Sequence, residues 1–300
     1  MKAGFASLIG RPNAGKSTLL NALVGQKLAI VSDKPQTTRH RIQGVRNRPA
    51  GQIVFIDTPG IHKPQHRMNQ RMVDAAVGTL RDVDVVVLVV DASGTPGGGD
   101  RFVLDLIRNA GVSSVLALNK VDLVRPKSRL LPLIDHYARG FAFRAIVPTA
   151  ATTGEGVAAL ESEIMAALPE GQALFPEEYL TDQTERTLAS ELIREKVLLH
   201  TRDELPYTTA VVIDAFEEPA EPGGLTKIFA SILVDQESQK PIVVGKGGAM
   251  IRQIGTEARR DLEQMLQGRV HLDLHVKVRA NWRDNERLLD ELGLAARRKS

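Results

Sequence analysis

Along residues 5–148, short apolar runs alternate with segments whose apolar positions recur every three or four residues. The runs Phe5–Gly10, Gln52–Asp57, Val83–Asp91, Ser114–Asn119 and Ala145–Pro148 predict strands. Several are apolar without alternation, the pattern of strands covered on both faces of a parallel sheet. Lys16–Val24, Asn69–Arg81, Arg101–Ala110, Arg129–Tyr137 and Val157–Leu168 carry the helical period instead. Five such helices predict a doubly wound α/β domain over residues 1–172.

The pattern changes after Leu168. Residues 173–185, with Phe175-Pro176-Glu177-Glu178 among them, have no periodicity and read as a linker. Beyond it come a helix striped by Leu188, Leu192, Ile193 and Val197, then alternating strands at Val211–Phe216 and Ile228–Val234. A glycine-rich loop, a helix over Ala249–Leu266 and a clean alternation from Val270 to Val278 follow. The order α-β-β-α-β with a last helix predicts a second, α+β domain over residues 186–300. No internal repeat interrupts this two-part plan, and 300 residues suit two domains of ordinary size.

Composition narrows the picture. Cysteine is absent, which removes disulfides and thiolate metal sites and makes a cytoplasmic location the simplest expectation. The longest apolar run, Val85–Val90, is far too short to span a bilayer and is bounded by Asp84 and Asp91. Met1–Gly10 shows no cleavage pattern and runs straight into a phosphate-loop motif. The net charge of +3 does not announce nucleic-acid binding, but residues 240–283 carry five more basic than acidic side chains.

That motif is Gly10-Arg11-Pro12-Asn13-Ala14-Gly15-Lys16-Ser17, a G-x-x-x-x-G-K-[ST] pattern placed after a strand and opening a helix, with Thr18 next in that helix. Its glycines let main-chain N–H groups surround phosphate oxygens, Lys16 adds charge at the β and γ phosphates, and Ser17 offers a hydroxyl to Mg²⁺. Asp57-Thr58-Pro59-Gly60 alone would be a good turn sequence. Ending a strand at this distance from the loop, Asp57 can reach the Mg²⁺ shell and the Gly60 N–H the γ phosphate. Asn119-Lys120-Val121-Asp122 ends another strand. Its carboxylate can accept from the N1–H and 2-amino groups of guanine, and adenine, lacking both, would leave it unmatched. Thr149-Ala150-Ala151 would close over the base through main-chain N–H groups.

Together GRPNAGKS, QTTRH, DTPG and NKVD resemble the translation-factor-related GTPases, and the glycine-rich second domain narrows the resemblance to the bacterial Era family, over nearly the whole chain. The resemblance implies a monomeric cytoplasmic GTPase that binds GTP or GDP with Mg²⁺. It also implies binding near the 3′ end of 16S rRNA, assistance in maturation of the 30S subunit, and peripheral association with the inner membrane. Carried over to this chain, the switch segment is Asp33–Arg41, and its Mg²⁺-coordinating threonine is Thr38 or the adjacent Thr37. Ile61 stands where many Ras-like GTPases place a water-orienting glutamine, so hydrolysis is expected to be slow. Relatives with asparagine at the position of Asn13 hold K⁺ against the phosphates, so K⁺-stimulated hydrolysis is expected, with Asn13, Lys16, Thr38 and Gly60 as the catalytic set. Thr149 replaces the serine usual in this family.

In the second domain, Gly245-Lys246-Gly247-Gly248 joins an apolar segment to a helix, as in KH type II domains, where bare backbone admits a sugar-phosphate chain. Lys240, Lys246, Arg252 and Arg259, with Arg260, supply the charge, and Trp282 reads as a packing residue. His62 and His66 are separated by Pro64, which breaks metal-binding geometry, and His271 and His275 read as the polar face of a strand. Gly97-Gly98-Gly99 reads as a flexible loop, and Arg297-Arg298-Lys299 as charge for RNA, lipid or water. A P-loop kinase is disfavoured by Asn119–Asp122 and Thr38, and a pure binding module is separated from an enzyme by turnover.

Overall fold

The computed structural model describes residues 1–34, 36–61, 66–202, 205–221 and 223–294. His62, Pro64 and Arg297-Arg298-Lys299 lie outside them, as does Pro35 within the switch segment. The N-terminal domain is a six-stranded sheet in the order β2-β3-β1-β4-β5-β6. Its strands are β1 (Lys2–Ile9), β2 (Ile42–Arg48), β3 (Gly51–Asp57), β4 (Val85–Asp91), β5 (Ser113–Asn119) and β6 (Ala145–Pro148). Successive residues feed opposite cores, as the pleat requires. Leu8, Phe55, Val87 and Ala117 pack under α1 (Lys16–Val24) and α5 (Val157–Ala167). Ile9, Val86, Leu88, Leu116 and Leu118 pack on the other face, under α2 (Arg67–Thr79), α3 (Gly98–Ala110) and α4 (Leu130–Gly140).

Two expectations need correction. The sheet is mixed, because β2 runs antiparallel to β3 at its edge, and polar Gln43, Arg46, Asn47 and Arg48 hid it from a search for apolar runs. Gly97–Gly99 is not a loose loop but the start of α3. Asp100 accepts from the Gly97 N–H at 2.8 Å and from Arg11 Nη1 at 3.1 Å, which fixes the helix N-terminus against the phosphate loop.

The aperiodic stretch 173–185 is tied along this edge. Gln52 bonds the main chain of Leu174 and Phe175, the Val45 N–H donates to the Leu180 carbonyl at 2.8 Å, and Thr181 Oγ1 to that of Gln43 at 2.6 Å. The segment thereby satisfies an otherwise open strand edge.

The second domain contains α6 (Glu185–His200), α7 (Leu205–Thr208), β7 (Ala210–Glu217), β8 (Leu225–Val234), α8 (Lys240–Val244), α9 (Ala249–Leu266), β9 (Arg269–Val278) and α10 (Glu286–Glu291). β8 is central, antiparallel to β7 and parallel to β9, and α6 and α9 cover one face through Ile193, Val197, Ile254, Ala258 and Leu262. The parallel pair needs a crossover, which α9 supplies. The chain is thus a doubly wound α/β domain followed by an α+β domain. Among the described residues no helix is long and apolar enough to cross a membrane.

Candidate functional site

The phosphate loop is shaped by close approach. A Cβ at Gly10 would lie 2.3 Å from the Val89 carbonyl oxygen, and one at Gly60 would lie 2.8 Å from the Pro12 main chain. Gly15 has φ +91°, and a Cβ there would meet Asn119 Nδ2 at 2.3 Å. The loop therefore needs glycine at these places for space, and at Gly15 for conformation as well. Lys16 folds back to the Arg11 carbonyl at 3.0 Å, spanning the loop.

At the start of α1, three oxygen-bearing side chains converge. Ser17 Oγ is 2.5 Å from Thr38 Oγ1 and 2.8 Å from Asp57 Oδ2, and Thr38 Oγ1 is 3.3 Å from the same carboxylate oxygen. Asp57 is fully buried and its other oxygen has no hydrogen-bond partner. Burial pushes the Asp57 carboxyl up against the opposing pull of Lys16, and burial pulls the Lys16 ammonium down against Asp57. A cluster of hard oxygens with an unmatched buried carboxylate fits Mg²⁺, and a cationic loop fits phosphate. The geometry also separates the two threonines, because Thr37 Oγ1 is bound to Ser32 Oγ at 2.8 Å and the Lys34 carbonyl at 2.6 Å. Ile61 is 2 % exposed and packs into the core beside α2, where it can orient no water. The Asn13 amide, on a φ of +63°, reaches the Asp33 carbonyl at 2.7 Å.

The base end is organised around Asn119. Its Nδ2 donates to the Ala14 carbonyl at 3.0 Å, and its Oδ1 accepts from Ala151 N at 3.1 Å and Thr149 Oγ1 at 3.3 Å, tying phosphate loop, β5 and the loop after β6 together. The hydroxyl of Thr149 is what this brace needs, so threonine serves where serine is usual. Lys120 Nζ lies 2.7 Å from Asp91, whose carboxyl this bond and Ser93 hold low although burial alone would raise it. Asp122 has a buried oxygen without a partner, the feature a guanine-reading carboxylate requires. Thr149-Ala150-Ala151, expected to close over the base, lie beside Asn119 at this end of the site. Their N–H groups already donate, to Leu118 O, Glu155 O and Asn119 Oδ1 respectively.

In the second domain the Gly245–Gly248 loop sits between α8 and α9. Gly247 and Gly248 have φ of +58° and +78°, yet a Cβ on either would meet nothing within 4 Å. Their backbone faces open space in a conformation that favours glycine, with Gly248 the residue before α9. Gly245 is different, since a Cβ there would strike Met250 at 2.6 Å. Lys240, Lys246 and Arg252 are exposed near the loop and Arg259 is exposed farther along α9, while Ile242, 54 % exposed in α8, is an apolar surface that the sequence did not single out. Trp282 is buried and donates from Nε1 to the Thr208 carbonyl, as a packing residue should.

The two halves meet at α2 and at the switch segment. Met68 and Met72 of α2 pack with Ala210, Leu233, Trp282, Leu289 and Leu294 of the second domain. Arg71 of α2 bonds Glu286, Asp290 and the Leu294 carbonyl. From the switch segment, Arg39 donates to the carbonyls of Thr209 at 2.7 Å and Pro206 at 3.2 Å, with its guanidinium 5.4 Å from the Trp282 ring. A cleft of about 1120 Å³ opens beside this contact, bordered by Arg11, Asn13, Ile61, Tyr207, Gln239 and Ile242, so that it runs from the phosphate loop to α8 of the second domain.

Sheet topology, phosphate loop and second domain define a P-loop GTPase that carries a KH-type domain. Residues 5–120 match the family described as 50S ribosome-binding GTPase, and residues 204–283 match the KH domain family. The chain is 50 % identical to GTPase Era of Geobacter metallireducens over 292 residues, 97 % of each chain, and 48 % identical to that of Syntrophus aciditrophicus over 97 % and 95 %. It belongs to the Era GTPase family. A crystal structure of Era in complex with MgGDPNP and nucleotides 1506–1542 of 16S ribosomal RNA superposes with a TM-score of 0.95 at 38 % identity, over 98 % of this chain and 99 % of that one. An Aquifex aeolicus Era variant bound to GDP·AlF₄⁻ gives 0.93, also at 38 % identity, over 98 % and 100 %.

Proposed function

We propose that this chain is a GTP-hydrolysing, RNA-binding switch that engages the 3′ end of 16S rRNA and assists maturation of the 30S subunit in the cytoplasm. The phosphate loop, from Gly10 to Thr18, wraps the phosphates with main-chain N–H groups, and Lys16 balances their charge. Ser17, Thr38 and Asp57 hold Mg²⁺, which when bound supplies positive charge at the β and γ phosphates. Asp57-Thr58-Pro59-Gly60 offers the Gly60 N–H to the γ phosphate, and Gly60 can lie against Pro12 of the phosphate loop because it lacks a Cβ. Asp122 selects guanine, with Asn119, Lys120 and Val121 as its frame and Thr149-Ala150-Ala151 as the brace behind it. Gly245–Gly248 accepts the RNA backbone, with Lys240, Lys246, Arg252 and Arg259 supplying charge.

One observation carries the switch reading: α2 and the switch segment Asp33–Arg41 are both packed on the second domain. A change of either on hydrolysis alters the surface on which that domain rests. The test is filter binding of a 16S rRNA 3′-end oligonucleotide with GTP analogue, GDP or no nucleotide at fixed salt. Tighter retention with the analogue, lost in Gly248→Asp, is expected. Equal retention in all three states would reduce the chain to two independent modules.

Hydrolysis lacks a water-orienting glutamine, and the Asn13 amide beside the Asp33 carbonyl brings neutral oxygens to the phosphate edge, where K⁺ can add charge. Faster turnover in K⁺ than in Na⁺ buffer is expected, and equal rates would remove K⁺ from the mechanism.

A further inference from the structure

Helix α6 belongs to the second domain by packing, since Ala189, Leu192, Ile193 and Val197 enter its core. Its other side presents charged residues to the switch segment, and these are buried: Glu191, Arg194 and Glu195 are 8 %, 2 % and 4 % exposed. Arg194 is gripped by both oxygens of Glu191, at 2.8 Å from Nε and 2.6 Å from Nη2. The same Nη2 donates to the main-chain carbonyl of Thr37. That carbonyl belongs to the peptide joining Thr37 to Thr38, whose hydroxyl meets Ser17 and Asp57. The next residue of α6, Glu195, accepts from the Val31 N–H at 2.8 Å and from Lys27 Nζ at 2.7 Å.

On the far side of Thr38, Arg39 is buried in the second domain. Thr38 is therefore held between two neighbours, each fastened to the second domain by a guanidinium. A charged donor on a carbonyl in a buried interface is among the stronger hydrogen bonds available to a protein. Burial would raise the Glu191 carboxyl, but Arg194 beside it outweighs this and holds it below the usual range.

We propose that Arg194 is a positioning residue for GTP hydrolysis, by which the RNA-binding domain supplies, within the same chain, the donor that fixes the Thr37–Thr38 peptide and keeps Thr38 at the Mg²⁺ site. The inference rests on the reading of Thr38 as a Mg²⁺ ligand. Arg194 acts only through the switch segment, because its guanidinium is turned to Glu191 and the Thr37 carbonyl. Its effect is accordingly on turnover and on Mg²⁺ use with GTP, and not on the phosphate loop or on Asp122, which bind GDP as well.

The test uses the full chain, with single-turnover GTP hydrolysis, Mg²⁺ titration in the presence of a GTP analogue, and GDP affinity. Arg194→Gln is expected to slow hydrolysis about ten-fold and to raise the Mg²⁺ needed for half-saturation, with GDP affinity unchanged. Glu191→Gln, which leaves the arginine unaimed, moves both in the same direction by less and decides the matter if Arg194→Gln does not fold. Arg194→Lys, which keeps a charged donor, recovers part of the loss. Arg186→Gln removes a charge from the same helix, but its bond is to the Ile213 carbonyl within the second domain, and it leaves both readouts at the wild-type value. Thr38→Ala without effect would remove the Mg²⁺ assignment and this inference with it. A slow Thr38→Ala beside wild-type rates and Mg²⁺ midpoints in Arg194→Gln and Glu191→Gln overturns the positioning role alone, as does an equal loss of GTP and GDP affinity in Arg194→Gln.

Discussion

The two glycine loops proposed to meet phosphate are built in opposite ways. Around Gly10, Gly15 and Gly60 every missing Cβ is occupied by the protein itself, at 2.3 to 2.8 Å. Around Gly247 and Gly248 the missing Cβ atoms face open space. The first is a cradle of fixed shape that a single ligand completes, with Asp57 and Asp122 holding unmatched oxygens for it. The second is an open edge across which a polymer can lie, with charge supplied from exposed side chains. Selectivity is accordingly expected from walls and buried polar groups at the first site, and from charge and backbone access at the second.

The contrast is broken most severely by Gly10→Ala. The Val89 main chain cannot yield as a side chain could, so destabilisation of about 3 kcal/mol is expected, with loss of fluorescent GDP binding. A wild-type melting temperature would show that the wall is soft. Asp122→Asn should weaken guanine nucleotides roughly ten- to a hundred-fold while leaving the fold intact, because two charge-assisted bonds are lost and no cavity is made. Titration with GDP and ADP checks it, and an unchanged preference for GDP would mean that another group reads the base. Lys246→Ala is the mildest. RNA affinity should fall similarly for all sequences, and the slope of log K against log salt should shrink by roughly 0.7. A change of base preference instead would make the lysine a reader rather than a charge.

The fold and the two loops were legible because they are local. A P-loop between strand and helix, Asp57 at a strand end, Asn119–Asp122 and Gly245–Gly248 each declare themselves within a few residues. What stayed hidden is long-range or rests on carbonyls that leave no mark in a sequence. Nothing in the sequence marks Arg39 or Arg194 as residues that join the two domains, because their acceptors lie 170 and 157 residues away along the chain. Thr38 is set apart from Thr37 by its contact with Ser17, and Asp100 at the start of α3 also accepts from Arg11, 89 residues before it. The edge strand β2 escaped notice because its polar residues break the apolar run, and its outer edge is bonded by the aperiodic segment 173–185.

All of these hidden contacts lie where parts of the chain distant in sequence meet, and those between the domains carry the claim that nucleotide and RNA sites are coupled. Reciprocity offers the most direct test. The affinity of a fluorescent, non-hydrolysable GTP analogue would be measured with and without saturating 16S rRNA 3′-end oligonucleotide, at one salt concentration. Coupling through the interface predicts that RNA tightens analogue binding by the same factor by which the analogue tightens RNA binding, with a smaller effect on GDP. Analogue affinity identical with and without RNA would contradict it.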